Sequence, residues 1–320
     1  MSRIVVTGGA GFIGGVTVLK LLDTGHSVYA IDRAMPSVLL RASGAKWLTG
    51  DFSGEVSLES MRMFKPDAVI HCAGTSLVGP SVLNPEEYYN NNFVKTKIML
   101  DYLVKHKINT RVIFSSSAAT YGNPVMTPIQ EIDPTEPISP YGESKLMIDW
   151  MLKRYAYAYG LDYVSFRYFN ACGADSLARH GQAPGATHII ARVLESVKNN
   201  TDFTLYGSNY STPDGTCIRD YIHVEDLAEA HILAIDQGIP SDIYNLGTNT
   251  GNSNLAVVQL AAQITGTAIP MLHGPKREGD PAILTADAGK FMGVSGWGPK
   301  FTLQDIITHA WAWYATTRSV

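Results

Sequence analysis

Cysteine is scarce in this chain of 320 residues: Cys72, Cys172 and Cys217 lie far apart, with no CxxC pair and no metal-ligand spacing. That argues against a disulfide framework and against a structural zinc site. An excess of positive charge is missing as well. Lys and Arg number 25 against 29 Asp and Glu, for a net charge of −4, so nothing points to nucleic acid or to an acidic membrane surface as a partner. No uninterrupted apolar run approaches the ~18 residues that span a bilayer. Met1-Ser2-Arg3 passes straight into a strand pattern, without the apolar region and cleavage site of a signal peptide. Charged residues make up only 17% of the chain and hydrophobic ones 45%, a balance that buries a core and excludes disorder. The expectation is a cytoplasmic protein with reduced thiols. Its length is about twice the ~150 residues typical of one domain, which suggests one large or two coupled domains.

What is present begins with alternation. Arg3–Thr7, Ser27–Ile31, Ala45–Leu48, Asp67–His71, Arg111–Ser115 and Asp162–Arg167 read as strands. Phe12–Leu22, a long stretch from Pro85 to Lys107, and Pro140–Tyr159 read as helices between them. Such alternation predicts an α/β fold, a doubly wound parallel sheet with helices on both faces. The apolar strands are continuous, as burial on both faces requires. After Asn170 the pattern breaks, and Tyr206–Gly215 reads as turns around Pro213-Asp214-Gly215. Helical patterns at Glu225–Gln237 and Asn254–Ile264 flank one more strand-like segment, Ile243–Gly247. We expect a smaller α/β lobe interleaved with late returns to the main sheet.

The loop after the first strand carries glycines at 8, 11 and 14. Gly8 can turn the chain, Gly11 lets backbone N–H groups approach a pyrophosphate, and Gly14 lets the helix pack close to the strand. Glycine clusters also make ordinary turns. Here Asp32 ends the second strand about twenty residues on, where an acid accepts from an adenosine ribose. Asp32 repels a 2′-phosphate and so favours NAD. Arg33 beside it either receives such a phosphate or is a solvated loop charge. Asp51-Phe52 either holds the adenine edge or forms a turn. His71 reads as a buried structural histidine, and His71-Cys72-Ala73-Gly74 as a close-packed strand end.

The fifth strand runs into Ser115-Ser116-Ser117, and Tyr141 stands at i, i+4 with Lys145 on a helix, which places phenol and ammonium on one face. A free tyrosine, with pKa ~10, is too weak a base at neutral pH. A nearby lysine and a positively charged nicotinamide would favour the phenolate. YxxxK occurs by chance, and serines often end strands. The coincidence of all three elements downstream of a nucleotide loop is what points to chemistry.

These residues, with TGGAGFIG (7–14), HCAG (71–74), PEEYYNNN (85–92), FSSSAATYG (114–122), SPYGESK (139–145), RYFNACGA (167–174), the block GSNYSTPDGTCIRDYIHVEDLAEAH (207–231), YNLGTNTGNS (244–253) and KREGDPA (276–282), resemble the extended short-chain dehydrogenase/reductases. Within that group the chain is similar to the UDP-glucose 4-epimerases. The resemblance implies a Rossmann domain at 1–169 and 221–248, and a nucleotide-sugar lobe at 170–220 and 249–320. It implies NAD as cofactor, a UDP-hexose as substrate, and a homodimer built through a helix bundle. The implied reaction is an isomerisation that inverts sugar C4 through a transient 4-keto sugar.

By the same resemblance Tyr141 is the base, Lys145 orients it and binds the nicotinamide ribose, and Ser117 helps proton transfer. Phe12 and Ile13 meet the NAD pyrophosphate, Asp32 the ribose, and Asp51-Phe52 the adenine. Cys72, Ala73, Gly74, Asn91, Ser115 and Phe169 line the cofactor. Tyr168 and Asn170 contact sugar and phosphate. Tyr206 faces the uracil with His188 and Ile189 nearby, and Tyr221 joins the substrate side. Arg219 and Arg277 clamp the diphosphate, for which forked cationic donors are suited, and Asp280 accepts from the uridine ribose. Ser76 stands where well-studied members carry a lysine near the pyrophosphate. Leu284 stands where many carry a tyrosine that excludes N-acetylated sugars.

Rival readings are a UDP-N-acetylglucosamine or UDP-xylose 4-epimerase, a nucleotide-sugar decarboxylase, and a non-catalytic NAD-binding module. Dehydratases of the superfamily place an Asp-Glu pair where this chain has Ala118-Ala119, which disfavours dehydration. His223, Asp226 and His231 read as a helix start and not as a metal set.

Overall fold

A computed structural model describes residues 1–276 and 280–316. Seven parallel strands form the central sheet. They are β1 (Arg3–Thr7), β2 (Ser27–Asp32), β3 (Lys46–Thr49), β4 (Ala68–His71), β5 (Arg111–Ser117), β6 (Tyr163–Tyr168) and β7 (Asp242–Leu246). Their spatial order is β7-β6-β5-β4-β1-β2-β3. The chain moves outward from β1 to β3, then reverses through β4. That reversal opens a crevice at the carboxyl ends of β1 and β4, where doubly wound sheets bind ligands.

Both faces of the sheet are buried, and alternate side chains serve opposite cores. Val5, Ile31, Val69, Val112 and Phe114 pack with Met99, Leu103, Ile148 and Leu152 from the helices Lys95–Lys105 and Pro140–Tyr159. Ile4, Val6, Ala30, Ile70 and Phe166 pack on the other face with Val18 and Leu21 of the helix Phe12–Asp23 and with Leu227 and Ala230 of the helix Val224–Asp236. A separate core joins Ile190, Leu194, Leu205, Val257 and Ile307 in the smaller lobe. Phe291 and Trp297, late in the chain, return to the core of the main sheet.

The expected strand positions recur with shifted ends. The weak third strand is Lys46–Thr49 and not Ala45–Leu48, and β5 extends to Ser117. The expected single helix from Pro85 to Lys107 is three pieces: Pro85–Tyr88, a π-turn at Tyr89–Val94, and Lys95–Lys105. Apolar periodicity does not report the turn, because its cause is polar. Asn92 is buried and bonds outside its own helix, accepting from Thr75 N (2.7 Å) and donating to Ser144 Oγ (2.9 Å). Widened turns of this kind occur frequently at functional sites. A short helix at Val78–Leu83 escaped the sequence reading because Pro80 and Gly79 mask its pattern. No helix among the described residues is long and apolar enough to cross a membrane.

Candidate active site

The glycine loop begins where β1 ends. Gly8 has φ +72°, and a Cβ there would lie 2.6 Å from Ala73 N. A Cβ on Gly14 would lie 2.1 Å from the Gly8 carbonyl oxygen. Turn and helix thus approach too closely for any side chain, and the helix Phe12–Asp23 points its N-terminus into the crevice. Asp32 closes β2, and its carboxylate accepts from Ala10 N (3.0 Å) and Ala34 N (2.8 Å). One end of the cleft, about 260 Å³ and the end where the sequence reading expects the adenosine, is walled by Gly8, Gly11, Asp32, Arg33, Asp51, Phe52, Cys72, Ala73, Gly74 and Asn91, and also by Lys95. Lys95 was not singled out from the sequence. Its place four residues after Asn91, one helical turn on, was the available signal.

A second region of about 700 Å³ shares Gly8, Gly11, Cys72 and Gly74 with the first, so the cleft is continuous. Its wall includes Phe12, Ile13, Gly14, Ser76, Ser115, Ser117, Tyr141, Lys145, Tyr168, Phe169, Asn170, His188, Arg219, Asp280 and Leu284. It also includes Ala118 and Ala119, and the run Gln182–Thr187, a run to which the sequence patterning gives no role. Three expected residues stand outside both walls. Ile189 opens the helix Ile189–Asn199, the Tyr206 ring packs on Gly274, and Tyr221 donates to Asn254 Oδ1 at 2.8 Å. Arg277 lies outside the described residues.

Tyr141 and Lys145 lie in the first turns of the helix Pro140–Tyr159. Pro140 opens that helix, and Ser139 caps it by accepting from Gly142 N at 3.2 Å. Gly142 lets it approach the Ser117–Ala119 segment, since a Cβ there would meet the Ala119 carbonyl at 2.5 Å. That approach sets Tyr141 beside Ser117 in the wall of the cleft, close enough for the serine hydroxyl to favour the phenolate. Tyr88 packs edge-on against the Tyr141 ring at 6.5 Å. Lys145 is buried, donates to the Ser115 carbonyl at 2.8 Å, and lies 5.8 Å from the centre of the Tyr141 ring.

The electrostatics differ from the sequence expectation. Burial raises the Tyr141 phenol above its ordinary range, and the Ser117 hydrogen bond only partly offsets this. Lysine charge does not dominate here, because the ammonium bonds a carbonyl and is itself pulled down to about 8 by burial. Without a further positive charge Tyr141 is a neutral phenol at neutral pH. His71 is pulled down to about 3 by burial and bonds Thr7 and Thr96 through its two nitrogens. It is the structural histidine that its sequence context suggested.

The Tyr168 hydroxyl faces inward. His231 Nδ1 donates to the Leu227 carbonyl at 2.7 Å, so its Nε2 accepts from Tyr168 at 2.5 Å. Ser115 Oγ lies 3.0 Å from the same hydroxyl. His223 caps its helix by accepting from Glu225 N, and Asp226 accepts from Lys300 N. At the far end of the cleft Arg219 Nη2 pairs with Asp280 at 3.3 Å.

The glycine turn, the helix N-terminus and the Asp32 carboxylate fit a dinucleotide, and the second region offers an arginine at its distal end for an anionic group. Comparison with known proteins agrees. The model of the NAD dependent epimerase/dehydratase family matches residues 4–247. The chain is 43% identical over 318 residues to a UDP-glucose 4-epimerase of Halalkalibacterium halodurans, covering 97% of this chain and 95% of that one. The crystal structure of UDP-glucose 4-epimerase from Brucella ovis in complex with NAD superposes with a TM-score of 0.92 at 39% identity, covering 98% of each chain. That of the Bifidobacterium longum enzyme with NAD+ and UDP gives 0.90 at 36% identity, again over 98% of each. The chain belongs to the NAD dependent epimerase/dehydratase family.

Proposed function

We propose that this protein is an NAD-dependent isomerase that interconverts UDP-glucose and UDP-galactose by inverting C4 of the hexose. The observation that carries this reading is the placing of Tyr141, Ser117 and Lys145 on one wall of a cleft that runs unbroken from the glycine loop to Arg219. Bound NAD supplies a hydride acceptor and a positive charge that favours the phenolate of a buried tyrosine. Tyr141 Oη takes the proton of the sugar 4-hydroxyl while the C4 hydride would pass to that acceptor, which together give a 4-keto sugar, and it returns the proton when the hydride would come back to the opposite face of C4. Ser117, beside that hydroxyl in the same wall, assists the proton transfer. Lys145, fixed by the Ser115 carbonyl, holds a buried positive charge on the cofactor side. Arg219 grips the diphosphate, so the sugar is held by its nucleotide end and can present either face. Residues 1–169 with 221–248 serve the dinucleotide in this reading, and 170–220 with 249–320 serve the UDP-sugar. The test is conversion of UDP-galactose to UDP-glucose by the purified chain, read by product sugar. No conversion of either sugar nucleotide would sink the reading.

Leu284 favours a wider sugar range. It stands in the cleft wall with Ala118 and Ala119, side chains that leave room beside the sugar. UDP-N-acetylglucosamine is therefore expected to be epimerised within about tenfold of UDP-glucose, a spread that one modest hydrophobic contact accounts for. Leu284→Tyr is expected to suppress the N-acetyl substrate selectively. An equal loss on both sugars would contradict this role.

We further propose a homodimer, acting in galactose metabolism in the cytoplasm, where the reduced state suits three free thiols. Val94 and Ile98, one turn apart, and Trp150 and Tyr157, two turns apart on the catalytic helix itself, expose apolar side chains. A second copy would cover both faces. Sedimentation of the wild type should give twice the chain mass, and Ile98→Glu with Tyr157→Glu should give a monomer. A monomeric wild type would refute the assembly.

A further inference from the structure

Lys95 has no task in the mechanism above, yet it stands in the wall of the adenosine end of the cleft. Its Nζ lies 2.7 Å from Asp51 Oδ2, with side chains 19% and 30% exposed. The two partners come from opposite sides of the crevice. Asp51 follows β3, and Lys95 opens the helix that leads from β4 to β5. In the sheet order β4-β1-β2-β3, the glycine loop and Asp32 lie at the ends of the two strands between them. The ion pair therefore spans the strand ends that carry the adenosine half of the cleft.

The aspartate end is anchored. Asp51 Oδ1 accepts from Ser53 N (3.0 Å) and Ser53 Oγ (2.8 Å), which leaves Oδ2 for the lysine. Burial raises the Asp51 carboxyl, but the bonds from Lys95 and Ser53 outweigh it and hold the group below its usual range. Asp51 thus faces the lysine as a carboxylate. Two other cations of the cleft are engaged elsewhere: Lys145 with the Ser115 carbonyl and Arg219 with Asp280.

We propose that the Lys95–Asp51 ion pair is a cofactor-retaining strap that closes the adenosine end of the cleft, so that the dinucleotide leaves only when the pair opens. The inference rests on the reading of the cleft as an NAD site. It suits a reaction that regenerates its NAD in every cycle and gains nothing from exchange. Lys95 acts here as a positioning residue, with no part at the reacting carbon.

The test follows release of radiolabelled NAD from the full-length protein after dilution into unlabelled NAD. Lys95→Met is expected to release NAD about tenfold faster, the equivalent of ~1.4 kcal/mol, while Lys95→Arg, which can still pair, stays near the wild-type rate. Asp51→Asn keeps acceptors for Ser53 and should match Lys95→Met, and the double substitution should add nothing further. Rising salt should speed release from the wild type and leave Lys95→Met nearly unchanged. A structural defect would move all rates without that salt signature and without rescue by arginine. Release from Lys95→Met within twofold of wild type would overturn the strap. Slower release from Asp51→Asn would also overturn it, by making Lys95 a direct ligand of the cofactor phosphates. A wild type that holds no NAD would overturn the strap together with the cofactor reading, and it is told apart by the absence of any label to release.

Discussion

Tyr141→Phe is expected to lower epimerase turnover by about 10³-fold or more while NAD stays bound, within the range that a positioned general base contributes. The substitution removes one oxygen and keeps the ring. Tyr88 still packs edge-on against that ring, and the helix cap at Ser139 is untouched. Lys145 keeps its bond to the Ser115 carbonyl, so the wall of the cleft survives. What disappears is the phenol hydroxyl beside Ser117, the group assigned to exchange a proton with the sugar hydroxyl. Turnover of UDP-galactose and the NAD content of the purified variant check both halves. Wild-type turnover would remove Tyr141 as the base, and loss of NAD would mean the ring has a binding role as well.

Gly14→Ala is expected to weaken NAD binding by about 100-fold, the equivalent of ~3 kcal/mol, at the upper end of the strain that overpacking imposes. The new methyl would sit 2.1 Å from the Gly8 oxygen and 2.8 Å from the Gly8 carbon. Both are backbone atoms and cannot swing aside. Gly8 is itself tied down, its N–H donating to the Ile31 carbonyl at 2.8 Å. The helix Phe12–Asp23 must then retreat from the loop, and its N–H groups leave the place where a pyrophosphate would lie. Gly293→Ala is the control. It also lies in a helix, its Cβ would meet nothing within 4 Å, and it is expected to leave binding unchanged. Equal NAD affinity in Gly14→Ala, measured by calorimetry, would show that the close approach is not needed for the cofactor.

Much of the site could be read from residues because its signals are local. The i, i+4 spacing of Tyr141 and Lys145 needs only a helix, and the observed helix Pro140–Tyr159 has the expected ends. The Ser139 cap, Pro140 at its first turn and Gly160 in the left-handed conformation after its last turn mark those ends in the sequence itself. The π-turn at Tyr89–Val94 was not readable in that way, since it depends on where Asn92 finds Thr75 and Ser144, partners 17 and 52 residues away. Tyr168 shows the same limit. RYFNACGA placed it beside the cleft, but only the packing of the helix Val224–Asp236 turns its hydroxyl toward His231.

By itself, then, the sequence determined the alternation of strands and helices in the first half of the chain, the glycine turn, and the pairing of phenol with ammonium on one helical face, because each follows from backbone conformation over a few residues. The tertiary structure alone decided the protonation of Tyr141 and the meeting of Lys95 with Asp51. The first depends on how much water the surrounding elements exclude. The second depends on a sheet order that sets the ends of β3 and β4 on either side of the same crevice.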